Sequence, residues 1–273
     1  METIGNKRKR ICQSMERRTR NFDLERRTRN FDLENMDPVE TSLDHSSLHS
    51  DGYIIFKNAI DVRDEILEEL KSQVNKKVSI IFNRNELTGK NDRKRLQCDL
   101  NYKEQFMEKF IEQISEFING KINDDRLTFN NWTILYSKQG CQRQAPHTDY
   151  VADDQFIKSM TYANQKNKGL IPLLVLISVM PETYLNIWEK SIGLITTEQV
   201  DFKDRPKIES KKLMLNKGDI VIFRADLIHA GSDYDKENIR LHVYLDSPII
   251  DRRPNMTWLI HKHANAELSN III

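Results

Sequence analysis

The spacing of apolar residues along the sequence changes near residue 126, and this change constrains the fold more than any other feature. Beyond it, apolar residues form short segments that are rich in β-branched and aromatic residues and are bounded by turn residues. These segments read NNWTILY, LIPLLVLISVM, TYLNIW, KKLML, DIVIF and RLHVYLD. The pattern predicts a domain of antiparallel strands, a sandwich or a barrel, in the second half of the chain.

Two helices are predicted before this β region. The first follows the strand-like stretch DGYIIFKNAI, with Asp61 as its N-cap. Its apolar face comprises Val62, Ile66, Leu67, Leu70 and Val74. The second has apolar residues spaced by three and four from Phe106 to Ile118, and Gly120 is placed to end it. By contrast, the polar stretch 153–169 is predicted to be a loop beside the mouth of the barrel.

The N-terminal part differs from the rest, and we expect residues 1–49 to form a disordered basic arm and residues 50–273 to form the folded domain. The arm contains KRKR at 7–10 and the nonapeptide ERRTRNFDL twice in tandem, at 16–24 and 25–33. A period of nine residues that occurs only twice cannot build a solenoid. Through the end of the repeat, ten Lys or Arg residues face five Asp or Glu residues. We interpret this as a solvated charge run, with nuclear localisation or RNA binding as the alternative.

Composition excludes several classes of protein. The 273-residue chain has a formal net charge of +1, so its overall charge favours neither nucleic acid nor a membrane surface. Cys12, Cys98 and Cys141 are widely spaced and odd in number, which indicates a reducing compartment. The longest apolar run contains Pro172 and is too short to span a bilayer, and no signal peptide is visible. We therefore expect a cytoplasmic protein that is not secreted, with the nucleus as the alternative that the basic run allows.

Three side chains could converge on one metal ion. His147 and Asp149 lie two residues apart in RQAPHTDY, just after a strand-like segment. His229 follows a later strand, in LNKGDIVIFRADLIHAGSDY. Two imidazoles and one carboxylate on a single face of a metal leave its other positions open, as in non-haem Fe(II) oxygenases. Either histidine taken singly would be an ordinary one, and only the combination predicts a site.

A cavity beside these residues is predicted from the strand RLHVYLD. Its alternation puts Arg240, His242 and Tyr244 on one face and apolar residues on the other. A guanidinium in the cavity offers two parallel hydrogen bonds to a carboxylate, a geometry that lysine cannot match. Tyr136, at the end of the strand WTILY, is a candidate hydroxyl donor to the same carboxylate. His242 either contacts a ligand there or is a hydrogen-bonded histidine of the barrel.

Together, these residues resemble the signature of a known family. His147-x-Asp149, His229 and Arg240, with the phrase GD-strand-HAG between them, resemble the Fe(II)/2-oxoglutarate-dependent dioxygenases. DGYIIFKNAI is similar to the N-terminal opening of the phytanoyl-CoA dioxygenase-like branch, and ETYLNIWEKS is similar to its central strand. The resemblance implies a mainly β protein with flanking helices, a double-stranded β-helix or jelly roll of the cupin kind, in which the N-terminal helices pack on one sheet.

The resemblance also implies a set of ligands and a reaction. Fe(II) would be held by His147, Asp149 and His229, and the distal carboxylate of the co-substrate 2-oxoglutarate by Arg240 together with Tyr136. With O2 as oxidant and ascorbate as an optional reductant, such an enzyme hydroxylates a small organic molecule and releases succinate and CO2. Asp149 favours hydroxylation, because relatives that halogenate have a small residue at that position.

Other functions remain open at the level of sequence. The nearest alternative is a protein hydroxylase that modifies an amino-acid side chain, and the alternative outside the enzymes is a catalytically silent jelly-roll binding protein. Nucleic-acid demethylation is disfavoured, because that branch resembles R-x5-R and Asp246 lies where the second arginine would be. The segment Lys90–Arg95 either meets an anionic substrate or is a solvated loop. The sequence predicts neither the substrate nor the oligomeric state.

Overall fold

The computed structural model describes residues 46–81, 92–151, 153–189, 191–193, 209–250, 252 and 258–259. The tandem repeat and the KRKR run lie outside these residues, so the basic arm stays a prediction. Helix α1 covers Ser46–Ser50, and Leu48 within it is only 3% exposed. The folded part therefore begins before the predicted boundary at residue 50, because Leu48 joins the apolar core.

Two antiparallel sheets make up most of the described fold. In spatial order, the larger sheet contains β1 (Tyr53–Phe56), β9 (Ile220–Arg224), β6 (Leu173–Ser178), β11 (Asn238–Asp246), β4 (Thr128–Ser137), β3 (Arg95–Asp99) and β2 (Ser79–Ile80). The smaller sheet contains β12 (Trp258–Leu259), β5 (His147–Thr148), β10 (His229–Gly231), β7 (Thr183–Ile187) and β8 (Lys211–Leu215). Neighbouring strands are often distant in sequence, as the crossing connections of a jelly roll require. The predicted mainly β jelly roll is confirmed.

Three longer helices accompany the sheets. They are α2 (Asp64–Lys76), α3 (Gln105–Ile122) and α4 (Asp154–Lys166). A short 3-10 turn at Lys168–Leu170 follows α4. None of the described helices combines the length and the apolar character that crossing a bilayer requires.

The two predicted N-terminal helices exist with shifted ends. Helix α2 begins at Asp64 rather than just after Asp61, and its N-cap, Arg63, makes no side-chain capping bond. Helix α3 continues past Gly120, because Ile118 and Ile122 are both buried against the core. It ends at Asn123, which adopts a left-handed conformation with φ of 50°.

The stretch 153–169 was predicted to be a loop, and this prediction is wrong. Asp153 caps helix α4 by accepting a hydrogen bond from the Phe156 amide over 2.9 Å. Phe156, Met160 and Ala163 recur at helical spacing and are buried. A narrow apolar stripe on an otherwise polar sequence is therefore enough to dock this helix.

The apolar core lies between the larger sheet and helices α2 and α3. Leu241 and Val243 of β11 belong to this core cluster together with Ile66, Leu70 and Ile114 of the helices. Each such buried side chain contributes on the order of 2 kcal/mol through removal from water. The opposite face of β11 lines a cavity between the sheets, as the alternation in the sequence predicts.

Candidate metal centre

His147, Asp149 and His229 converge in the structure. One donor atom from each side chain lies within 4.8 Å of the others. His147 on β5 and His229 on β10 are direct register partners, so their imidazoles share one face of the smaller sheet. Asp149 follows β5 directly, and its Oδ1 lies 3.6 Å from the Nε2 atom of each histidine. The strand pairing thus brings together three residues that are up to 82 positions apart.

Both imidazoles present the nitrogen that a metal needs. The Nδ1 atom of His147 lies 2.7 Å from the carbonyl oxygen of Ala145, and that of His229 lies 3.1 Å from the carbonyl oxygen of Leu227. A carbonyl oxygen only accepts, so Nδ1 donates in both cases, and Nε2 is the ring nitrogen left to face a metal. Each Nε2 faces Asp149, as expected for metal ligands held by outer hydrogen bonds.

The local environment sets the charges of the group. Burial, followed by the nearby His229, lowers the pKa of His147 to about 4, so this imidazole is neutral at neutral pH. Burial alone would raise the pKa of Asp149, but the interaction with His229 and the neighbouring imidazoles outweigh burial and hold this pKa below its usual value. One imidazole nitrogen from each histidine and one carboxylate oxygen form a donor set that suits a divalent transition metal. The residues therefore fit such an ion.

Two residues of β11 surround the second carboxylate oxygen. Tyr244 donates a hydrogen bond from its hydroxyl to Oδ2 of Asp149 over 2.8 Å. The Nε2 atom of His242 lies 3.9 Å from the same oxygen, and burial lowers the pKa of His242 to about 4. Oδ2 is therefore held by a hydrogen bond from the protein itself, and Oδ1 remains available to bind a metal.

The metal group opens into a cavity of about 160 Å³ between the two sheets. Its walls combine apolar residues such as Leu176 and Phe223 with polar residues of β3 and β4, among them Gln97 and Asp99. Cavities of this composition hold a small ligand by apolar contact and orient it by a few polar groups.

Arg240 lines the same cavity and is 3% exposed. Its Nη1 atom donates to the hydroxyl of Ser137 over 3.0 Å, and its guanidinium carbon lies 5.5 Å from the centre of the Tyr234 ring. Within the described part of the chain, no carboxylate forms an ion pair with this guanidinium. A buried cation without a counter-charge is costly, so the site favours an anionic ligand.

Tyr136 lies on the other side of the sheet from the cavity. Its hydroxyl donates to Oε2 of Glu237 over 3.0 Å in an exposed position, and its ring packs against the helix-covered core. Arg240 is paired in register with Leu135, and Leu135 faces the cavity. The prediction that Tyr136 binds a carboxylate beside Arg240 is wrong, because strand alternation turns it to the opposite face.

Sequence reasoning missed two residues next to Arg240. Ser137 is fully buried and accepts a hydrogen bond from Arg240, the residue beside which Tyr136 was expected to lie. Arg95 was read as part of a cation-rich segment that is either solvated or in contact with substrate, but it is 1% exposed and inside β3. Nothing in the run KNDRKR separates this buried arginine from its neighbours, of which Lys90 and Asn91 lie outside the described residues.

The fold is shared with solved structures at low sequence identity. SnoN, a non-heme alpha ketoglutarate dependent epimerase from nogalamycin biosynthesis, matches with a TM-score of 0.55 at 15% identity over 77% of this chain and 84% of that chain. SnoN in complex with Fe3+, alpha ketoglutarate and nogalamycin RO gives 0.54 at 14% identity over the same shares. HygX from Streptomyces hygroscopicus, with nickel and 2-oxoglutarate bound, gives 0.50 at 7% identity over 79% of this chain and 91% of that chain. No family model and no curated protein matches the sequence.

Fold and site together define a class: a jelly-roll protein whose cavity holds a His-Asp-His group able to bind a metal ion. At these identities the likeness to SnoN and HygX establishes the fold. The similarity to the phytanoyl-CoA dioxygenase-like branch depends on sequence phrases and stays a prediction.

Proposed function

We propose that the protein is an Fe(II)- and 2-oxoglutarate-dependent oxygenase that hydroxylates a small organic molecule. One observation carries this proposal. The cavity that contains His147, Asp149 and His229 also contains Arg240, a buried guanidinium that has no carboxylate partner among the described residues. A metal with open positions and a buried cation in one cavity match the two ends of a 2-oxo acid that has a second carboxylate.

Each residue then has a defined task. His147, Asp149 and His229 would hold Fe(II), and Arg240 would hold the distal carboxylate of 2-oxoglutarate. The bound iron and co-substrate supply the oxygen chemistry that side chains cannot perform. The chain itself contributes two imidazole nitrogens, an ionised carboxylate and apolar walls such as Leu176 and Phe223, which keep water away from the reacting groups.

The alternative of a silent binding protein is less well supported by the site. A jelly roll without catalysis has no need for two imidazoles whose Nε2 atoms both face one carboxylate oxygen at 3.6 Å. Nor does it need the outer hydrogen bonds that fix the orientation of each ring and of the carboxylate. SnoN and HygX are structures in which this fold has 2-oxoglutarate and a metal bound, which supports the proposal.

The test is to add Fe(II) and 2-oxoglutarate to metal-free protein without oxygen and record the visible charge-transfer absorption of the chelate. We expect the band in the wild type and its loss in His229→Ala, with circular dichroism showing that the variant is folded. A wild type without the band, or a variant with an unchanged one, contradicts the proposal. Metal-free protein and reducing conditions are needed, because these ligands bind Ni, Cu or Zn more tightly than Fe(II).

A further inference from the structure

One row of residues crosses the larger sheet from β6 to β3 and passes the metal group. It contains Leu176 on β6, His242 on β11, Thr133 on β4 and Asp99 on β3, which are register partners from strand to strand. All four residues line the cavity. His242 marks the metal group, since its Nε2 atom lies 3.9 Å from Oδ2 of Asp149. The backbone of Asp99 is two strand spacings farther along the row, roughly 10 Å away.

The cavity wall becomes more polar along this row. On the β6 side of His242 it is apolar, with Leu176 on β6 and Phe223 on the neighbouring strand β9. On the other side, Thr133 is half-buried and Asp99 is exposed. A ligand that lies along the row is therefore met by apolar contacts at one end and by a carboxylate at the other.

Two side-chain amides lie on the same wall as Asp99. Gln97 comes two residues before Asp99 on β3, and Asn131 comes two residues before Thr133 on β4. Asn131 has a φ of 55° and lies in a bulge, where two residues of β4 oppose one residue of β11. Bulges are common next to functional sites, because they re-aim a side chain. The bulge here leaves Asn131 in the cavity wall.

The side chains of Asp99, Gln97 and Asn131 make no hydrogen bond or ion pair within the part of the chain that the structure describes. The Thr133 hydroxyl, by contrast, donates to the carbonyl oxygen of Asn131 over 3.0 Å. A carboxylate only accepts hydrogen bonds, whereas an amide side chain both donates and accepts. This wall thus offers a ligand one charged acceptor between two amides.

The carboxylate of Asp99 also lacks a counter-charge in the cavity. Arg252 lines the cavity, but its guanidinium donates to both carboxylate oxygens of Asp246, over 3.0 Å and 3.3 Å. With Fe(II) and 2-oxoglutarate bound as proposed, the charges of the metal, the co-substrate dianion, Asp149 and Arg240 cancel. The negative charge of Asp99 then remains on the wall and favours a cationic ligand.

We propose that the substrate is a small amine whose ammonium group binds Asp99 and whose apolar part lies toward Leu176, beside the metal group. Gln97 and Asn131 bind the hydrogen-bonding groups that flank the ammonium. The inference rests on the proposed function and deepens it by naming the class of substrate. Asp99 does not belong to the metal group, so its role is separable from metal binding.

The experiment uses three probes that differ only at their polar end: hexylammonium, hexanol and hexanoate. The protein is loaded with Mn(II) and 2-oxoglutarate, and the electron paramagnetic resonance signal of free Mn(II) measures metal binding. Each probe is then titrated, and NMR measures how strongly the paramagnetic ion broadens the proton resonances of the probe. Because broadening falls steeply with distance from Mn(II), it gives both a Kd and the end of the probe that lies near the metal.

We expect hexylammonium to bind more tightly than hexanol and hexanoate to bind least, with the methyl end of hexylammonium broadened most. Asp99→Asn should raise the Kd of hexylammonium about fivefold, the upper end for a solvent-accessible ion pair, and remove its preference over hexanol. Asp99→Glu should keep that preference. Asp61→Asn is the control and should change nothing, because Asp61 is exposed and does not line the cavity.

An equal Kd of hexylammonium in Asp99→Asn and wild type would overturn the inference and leave the proposed function standing. Hexanoate that binds as tightly as hexylammonium would do the same. A free Mn(II) signal that does not fall when protein is added would instead defeat the proposed function, and the inference with it. A lysine side chain carries the same alkylammonium group, so the peptide Gly-Lys-Gly is titrated as well. Tighter binding of this peptide than of hexylammonium would indicate a protein substrate and overturn the assignment to a small amine.

Discussion

Tyr244 and Asp149 are joined by a hydrogen bond of 2.8 Å from the phenol oxygen to carboxylate Oδ2. The bond turns the other oxygen, Oδ1, toward the Nε2 atoms of His147 and His229, each 3.6 Å away. The carboxylate is therefore oriented before any metal binds. Outer partners of this kind commonly change metal affinity by about 10- to 100-fold.

Tyr244→Phe should accordingly lower the affinity for a divalent metal by about tenfold, because Asp149 is then free to rotate. Competition with a chelator of known affinity measures the change. Tyr150→Phe is the matched control, since its buried phenol also donates to a carboxylate, Oδ1 of Asp246, over 2.7 Å. Equal metal affinity in Tyr244→Phe and wild type would show that this bond does not orient the ligand.

Arg240→Leu should raise the 2-oxoglutarate concentration needed for half-maximal succinate formation by more than about tenfold, because it removes a charged, hydrogen-bonding partner. Iron binding should stay nearly unchanged, since Arg240 does not belong to the metal group. Arg126→Leu serves as control, because that guanidinium is paired with Asp124 and does not line the cavity. An unchanged 2-oxoglutarate requirement would remove Arg240 from this role.

The stability of the metal-free protein should fall as the pH decreases from about 6.5 to about 4. Burial lowers the pKa of both His147 and His242 to about 4, whereas unfolded histidine takes up its proton near 6.5. Between these values the unfolded state binds more protons, so stability is complete above the unfolded pKa and is lost as the pH falls through the folded pKa. The loss is on the order of 3 kcal/mol per histidine. Urea unfolding across this window measures it.

His242→Gln separates the contribution of one histidine. The free energy of unfolding of the variant should decrease less over the same pH window. Of the two histidines with a pKa lowered to about 4, only His147 then remains. An identical pH dependence in the variant and the wild type would contradict the assignment.

A buried ion pair at the end of strand β9 makes a separate prediction about stability. Nε and Nη2 of Arg224 donate to the two carboxylate oxygens of Asp226, each over 2.8 Å, and Asp226 is fully buried. Asp226→Ala should reduce the free energy of unfolding by about 3 kcal/mol or more, because it leaves a buried charge unpaired. The double variant Arg224→Met/Asp226→Leu should lose less. Denaturant titration measures the free energy of unfolding of each variant. A double variant that lost as much as its two single variants together would contradict the pairing.

The sequence predicted the face of β11 correctly because that strand is polar on one side and apolar on the other. Arg240 and His242 line the cavity, while Leu241 and Val243 pack under the helices. Strand β4 has no such contrast, since neighbouring Ile134 and Leu135 are both apolar but face opposite sides. Its cavity face is set by pairing with β11, which spacing along one strand does not reveal. That is why Tyr136 was expected beside Arg240, where the structure has Ser137 instead.

Helix α4 was missed for a different reason. The spacing of Phe156, Met160 and Ala163 and the capping position of Asp153 were present in the sequence, but the average polarity of the stretch outweighed them. Arg95 had no sequence signal at all. Its burial depends on the carbonyl oxygens of Gln142 and Ser232, which only the tertiary fold brings together.

The strands that position the two histidines are very short. Strand β5 has two residues and β10 has three, whereas β4 and β11 have ten and nine. Few backbone hydrogen bonds hold such a pair, so a metal ion that links His147 to His229 would contribute to the folding of the smaller sheet itself. Removal of the metal by a chelator would then loosen the smaller sheet locally. Amide hydrogens of β5 and β10 would exchange faster, while those of β4 and β11 would keep their protection.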